Sequence, residues 1–169
     1  HGKAVLYPLT VTIGEQTATR RIGFRTLEVK TIEDAEGGRS MTFSVNGVDI
    51  FAKGANWIPF DAFPSRLTDD RYEQLLQAAV DANMNMLRVW GGGMYEKEVF
   101  YDLCDEKGLL IWQDCMFSCS MYPATPEFLE NVEAEIRHQV ERLAHHASLA
   151  LWCGNNEDLG AITWYEESR

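Results

Sequence analysis

The sequence predicts an α/β fold, the N-terminal half of a (β/α)8 TIM barrel preceded by the last strands of a β-sandwich. Three observations lead there. From residue 41 onward, apolar runs of strand length alternate with amphipathic runs of helix length, in the order β-α-β-α-β-α-β. Such alternation implies parallel strands covered by helices. A doubly wound sheet would carry a glycine-rich phosphate loop after its first strand, and Ala55-Asn56-Trp57-Ile58-Pro59 is nothing of the kind. Gly91 to Gly93 lacks the GxGxxG spacing too, and reads as a flexible strand exit. Finally, a closed barrel needs about 250 residues. Here the fourth unit of a 169-residue chain is complete by residue 157, so half a barrel is expected.

The elements follow in order. Residues 4 to 31 carry strand signals: AVLYPLTVTI alternates in part, and TATRRIGFRTLEVKTI reads as one long strand segment. Two strands make no stable sheet alone, which suggests the end of a sandwich whose beginning lies elsewhere. The acidic, glycine-bearing EDAEGGRS is a linker or turn, giving expected units at 1–32 and 40–169. MTFSVNGVDIFAKGAN is a hairpin around Asn46-Gly47. Thr68 is a plausible N-cap, with Asp69 and Asp70 complementing the helix dipole. Behind it Tyr72, Leu75, Leu76, Ala79 and Val80 make one apolar face. MLRVW is the next strand. A helix with Val99, Phe100, Leu103 and Cys104 inward then stops at Gly108. LLIWQD is the third strand. Pro126 opens a long helix with Phe128, Val132, Ile136, Val140 and Leu143 on its inner face, and LALWCG is the fourth strand.

Composition narrows the function. With 46% hydrophobic and 11% aromatic residues there is apolar mass for a core, and the net charge of −11 excludes nucleic acid as a partner. No apolar run approaches the roughly 20 residues of a membrane span, so no membrane partner is expected. Cys104, Cys115, Cys119 and Cys153 form no CxxC pair, and His138, His145 and His146 lie on one helical pattern well away from them. Thiols in a reducing compartment fit that pattern better than zinc does. No N-x-S/T sequon occurs, which also points towards the cytoplasm. No cofactor and no metal are expected.

Barrel enzymes keep their chemistry at the carboxyl ends of the strands. Those ends read Asn56-Trp57, Arg88 to Trp90, Gln113-Asp114 and Asn155-Asn156-Glu157. Indole faces stack on sugar rings, and Asp, Asn and Arg hydrogen-bond hydroxyls. Each residue also has a plainer explanation: a tryptophan is usually core, Asp114 could cap a helix, and Arg88 could be its partner inside the barrel. Their coincidence at one rim favours a site. A working acid at such a rim needs apolar walls and a nearby second carboxylate to hold its proton at neutral pH.

The segments ANWIPFDAFPSR, LRVWGGGMYEKEVFYDLCDEKGLLIWQD, CSMYP and LALWCGNNE together resemble the β-mannosidases of glycoside hydrolase family 2, over essentially the whole chain. The resemblance implies that residues 1 to about 32 end an immunoglobulin-like sandwich and that the rest is the first half of a glycosidase barrel. It implies that Glu157 is the general acid/base and that Asn156 hydrogen-bonds the sugar's 2-hydroxyl. Trp57, Arg88, Trp90 and Asp114 would then shape the sugar subsite, with Trp164 either lining it or lying in the core. The family is retaining and needs a second carboxylate from a later strand. Glu166 and Glu167 sit too close in sequence to supply it, so the chain alone is expected to be inactive. The expected substrate is the terminal β-mannoside of an oligosaccharide. The alternatives are another family 2 exo-β-glycosidase (a glucosaminidase or galactosidase) or a non-catalytic carbohydrate-binding fragment. Uncovered barrel edges would favour self-association.

Overall fold

The structure, a computed structural model, describes residues 3–164; Glu166 and Glu167 lie outside them. β1 (Tyr7–Ile13) and β2 (Gln16–Ile22) form an antiparallel hairpin turned at Gly14, whose φ of 61° suits glycine. Arg21 ties the hairpin to Glu106 at 2.5 Å. The long strand expected from Thr17 onward breaks after Ile22. A Cβ at Gly23 would lie 2.7 Å from the Cβ of Ala147, so the backbone here is pressed against a distant segment. Arg25 then reaches the carbonyls of Ala147 and Leu149 at 3.1 and 2.7 Å.

Past that bend, β3 (Leu27–Lys30) pairs antiparallel with β4 (Thr42–Val45), and β4 with β5 (Val48–Ile50). This three-stranded sheet therefore spans the interval 32–40. Asn46 and Gly47, with φ of 51° and 77°, form the turn the Asn-Gly pair predicts.

A separate four-stranded parallel sheet holds β6 (Gly54–Trp57), β7 (Met86–Val89), β8 (Leu110–Asp114) and β9 (Leu149–Cys153), in sequence order. The crossovers are α1 (Asp69–Asp81), α2 (Glu98–Lys107) and α3 (Pro126–Leu143), with a 3-10 turn at Pro64–Arg66 before α1 and α4 (Asp158–Trp164) after β9. The predicted alternation is thus an α/β fold with a parallel sheet. Thr68 occupies the N-cap of α1 in extended conformation, though its side chain makes no capping bond. Thr125 does cap α3, accepting from Phe128 N, and Gly108 closes α2 at φ 70°.

Because side chains alternate along a strand, the register sorts the sheet into two faces. Leu87, Val89 and Ile111 face the helices and pack with Tyr72, Leu76, Phe100, Tyr101, Cys104 and Leu143 as the core. Gly54, Asn56, Met86, Arg88 and Trp112 line a cavity on the opposite face. Only Leu143 of the α3 face is fully buried, and Val140 stays 37% exposed, because β9 ends the sheet and α3 has strands beneath one side only. His145 and His146 fall just beyond α3 rather than on its helical pattern.

Candidate active site

Four of the expected residues meet at the carboxyl ends of β7, β8 and β9. Arg88 pairs in register with Trp112, and its guanidinium lies 5.8 Å over that indole. Two residues further on the same face, Asp114 receives the guanidinium as a fork, Nε to Oδ1 at 3.2 Å and Nη2 to Oδ2 at 2.7 Å. Trp112 Nε1 and Gly91 N also donate to that carboxylate, at 2.9 and 3.0 Å. Asp114 has no exposed side-chain surface and Arg88 retains 26%. A buried charge is tolerable only when paired and hydrogen-bonded in this way. Arg88 Nη2 then extends to Asn156 Oδ1 at 2.8 Å, joining the β7–β8 pair to the segment after β9.

That segment is zipped to the loop after β8. Asn156 N donates to Phe117 O at 2.9 Å, and Cys119 N donates to Asn156 O at 2.8 Å. The pairing holds two non-glycine residues in the left-handed region, Cys119 at φ 52° and Glu157 at φ 61°. For an L-residue this costs about 1–2 kcal/mol, and such strain clusters where function needs a fixed geometry. With Oδ1 taken by Arg88, Asn156 turns its Nδ2 towards Glu157 Oε2 at 3.3 Å and Cys119 Sγ at 3.4 Å. Cys119 Sγ lies 3.5 Å from the same Glu157 oxygen. Glu157 is exposed at the mouth, whereas Asn156 is buried. Next in sequence, burial pushes the Asp158 carboxyl up, partly offset by a hydrogen bond from the Ser120 backbone. The set can bind hydroxyls through an oriented amide and can give or take a proton through an accessible carboxyl.

The tryptophans are placed differently. Trp57 is not at the mouth: it shares a face with Val89, so its indole enters the helix-side core. There it packs 4.9 Å from Phe100, stacks on Tyr72 and donates to buried Glu96 at 3.0 Å. Tyr72 OH donates to the other oxygen of Glu96, and burial, reinforced by that carboxylate, raises the phenol far above its ordinary range. Trp90 lies over Gly92, where a Cβ would come within 2.0 Å of the ring. A Cβ at Gly91 would come within 2.5 Å of Phe117 O. The expected flexible exit at Gly91–Gly93 is therefore corrected: these glycines are close-packed, and none has positive φ. Trp164 is 53% exposed and lies over Gly160 of its own helix.

Trp112, Ser118 and Cys119 join the site without having been singled out. Trp112 has the same strand parity as Asp114, so alternation could have flagged it; Ser118 and Cys119 lie four and five residues past the end of β8, and no local pattern marks them. Among the described residues, the His and carboxylate groups close enough to share a metal lie away from this mouth, around His146.

No family model matches the chain. It is 46% identical to a β-mannosidase of Capra hircus over 175 aligned residues, covering 98% of this chain and 20% of that protein. It is 43% identical to β-mannosidase B of Emericella nidulans, covering 94% of this chain and 19% of that one. The crystal structure of β-D-mannosidase from Dictyoglomus thermophilum superposes with a TM-score of 0.88 at 44% identity, covering 93% of this chain and 20% of that structure. The chain thus spans about a fifth of the length of the relatives it matches.

Proposed function

Since the chain belongs to the β-mannosidases of glycoside hydrolase family 2, we propose that it carries the acid/base side of a retaining exo-β-mannosidase site. The observation that carries this reading is the chain of contacts from Asp114 through Arg88 and Asn156 to Glu157, across three adjacent strand ends. Glu157 gives its proton to the departing glycosidic oxygen as a second carboxylate attacks the anomeric carbon from the opposite face. As a carboxylate it then takes a proton from the water that releases the sugar. Asn156 donates to the 2-hydroxyl, a contact that strengthens as the oxocarbenium-like transition state forms.

The nucleophile must stand about 5–5.5 Å from the acid/base. Among the described residues, Asn156 and Cys119 are the side chains bonded to Glu157, and Asp114 is committed to Arg88, Trp112 and Gly91. We assign the nucleophile to the part of the relatives that this chain does not span. On the same reading, the parallel sheet from β6 onward with its helices is the first half of a (β/α)8 barrel, and the β1–β2 hairpin ends an immunoglobulin-like sandwich. The uncovered alternating face of β1, with Tyr7, Leu9, Val11 and Ile13 exposed, supports the latter. The β3–β4–β5 sheet crosses the 32–40 boundary expected from sequence. Trp90 remains a subsite candidate, whereas Trp57 serves by supporting the strand end.

The test is Glu157→Ala in a full-length protein bearing this chain, with an activated aryl β-mannoside. Glycosylation needs no proton with so good a leaving group and should persist. Release should slow, and azide should restore turnover and yield β-mannosyl azide. The α-anomer would make Glu157 the nucleophile instead. Preference for a β-glucosaminide or β-galactoside over the β-mannoside in the parent protein would move the assignment to a sister activity.

A further inference from the structure

Away from the mouth, one buried group has a donor set that the reaction does not use. α2 and the turn after α3 bring Glu98, His145 and His146 together, with one possible ligand atom of each within 4.8 Å of the others. His146 is 2% exposed, its ring 5.4 Å from that of Tyr101 and 4.1 Å from that of His145. Its Nδ1 lies 2.7 Å from Asp105 Oδ2, while Asp105 Oδ1 accepts from Ser148 N at 2.7 Å. A carboxylate only accepts, so Nδ1 carries a hydrogen, and in the neutral form of the ring Nε2 presents a lone pair. That nitrogen has no hydrogen-bond partner among the described residues and faces Glu98 Oε2 at 3.5 Å. A neutral Nε2 and a carboxylate oxygen 3.5 Å apart are two acceptors, and they attract only through a cation between them, a proton or a metal. Arg142 does not supply it, because it is engaged with Glu98 Oε1 and with the Glu96 carbonyl at 3.1 Å.

We propose that Glu98, His145 and His146 form a divalent transition-metal site, with zinc the ion best matched to two imidazoles and a carboxylate. The Asp105–His146 contact is the outer hydrogen bond by which a metal-bound histidine is oriented and made more basic. Bonds of about 2.0–2.2 Å place tetrahedral ligand atoms about 3.4 Å apart, so Glu98 Oε2 and His146 Nε2 already stand near that spacing and the remaining donor pairs must close by at most about 1.4 Å. Exposed Glu98 and half-buried His145 can make that adjustment around the fixed His146. They border a cleft with Thr19, Arg20 and Asp102, through which water reaches the fourth position. The site is a clip: it fastens α2 to the segment that enters β9, and β9 leads to Asn156 and Glu157.

Isothermal titration of the whole, reduced chain with zinc chloride tests this, with circular dichroism confirming the fold of each variant. One zinc should bind per chain, at least tenfold more weakly in both His145→Ala and Glu98→Gln, which alter accessible side chains. Cobalt(II) in its place should give the visible absorption of a tetrahedral nitrogen–oxygen site, without a thiolate charge-transfer band. Absence of zinc binding would leave a proton as the cation at His146 and overturn the proposal. So would binding unchanged in both variants, or a thiolate band placing the metal on cysteines.

Discussion

Asp114 receives Arg88 twice, Trp112 once and the Gly91 amide once, on a carboxylate with no exposed surface. Removing it leaves Arg88 Nε, Trp112 Nε1 and the Gly91 amide without their acceptor, and the Arg88 side chain is about three-quarters buried. Asp114→Ala should therefore cost about 3 kcal/mol, the low end for breaking a buried pair, because Arg88 keeps some water contact. A urea midpoint corresponding to a loss below about 1 kcal/mol would show that water replaces the carboxylate cheaply. At this scale the sequence was legible where one residue type has few options. Arg88 and Asp114 pair as opposite charges on the same face of neighbouring strands, and Glu157 follows directly on a strand's end. Trp57 was misplaced because adjacent residues Asn56 and Trp57 cannot both face the mouth when successive side chains alternate. The left-handed backbone of Cys119 and Glu157 was not legible, because it comes from pairing between two loops far apart in sequence.

The loop leaving β7 shows an element shaped by what it touches. Gly92 stands beneath the Trp90 ring with no room for a methyl group. Gly92→Ala should displace the indole and cost about 1–3 kcal/mol, as overpacking typically does. A red-shifted tryptophan emission together with a lower melting temperature would report it; an unchanged spectrum and melt would mean the ring has another resting place. Helices α1 to α3 and strands β7 to β9 were readable from periodicity, whereas β6 was not: the hairpin expected over 41–56 divides, Val48–Ile50 pairing with β4 and Gly54–Trp57 with β7. Nor was the break between β2 and β3. It is set by Gly23 against Ala147 and by bonds from Arg25 to carbonyls 122 and 124 residues away, which no local pattern encodes.

For the whole molecule, the decisive feature is apolar surface without cover. Tyr7, Leu9, Val11 and Ile13 form an exposed stripe on β1, and β6 and β9 each have a neighbour on one side only. Open edges and continuous apolar faces recruit further chain, and in a pure sample the available chain is a second copy. Sedimentation velocity should show an apparent mass that rises with concentration, and Leu9→Lys with Val11→Lys should reduce it. A monomer throughout the accessible concentration range would show that the stripe is tolerated by itself.

The reach of Arg88 also says something about time. Its partners lie 26 and 68 residues away, each beyond at least one full strand-to-strand crossover. Every parallel pairing in this sheet must close such a crossover before it gains anything, and contacts of that span slow folding. The mouth therefore exists only once β7, β8 and β9 are all docked, because no two of these strands hold Asp114, Arg88 and Asn156 together.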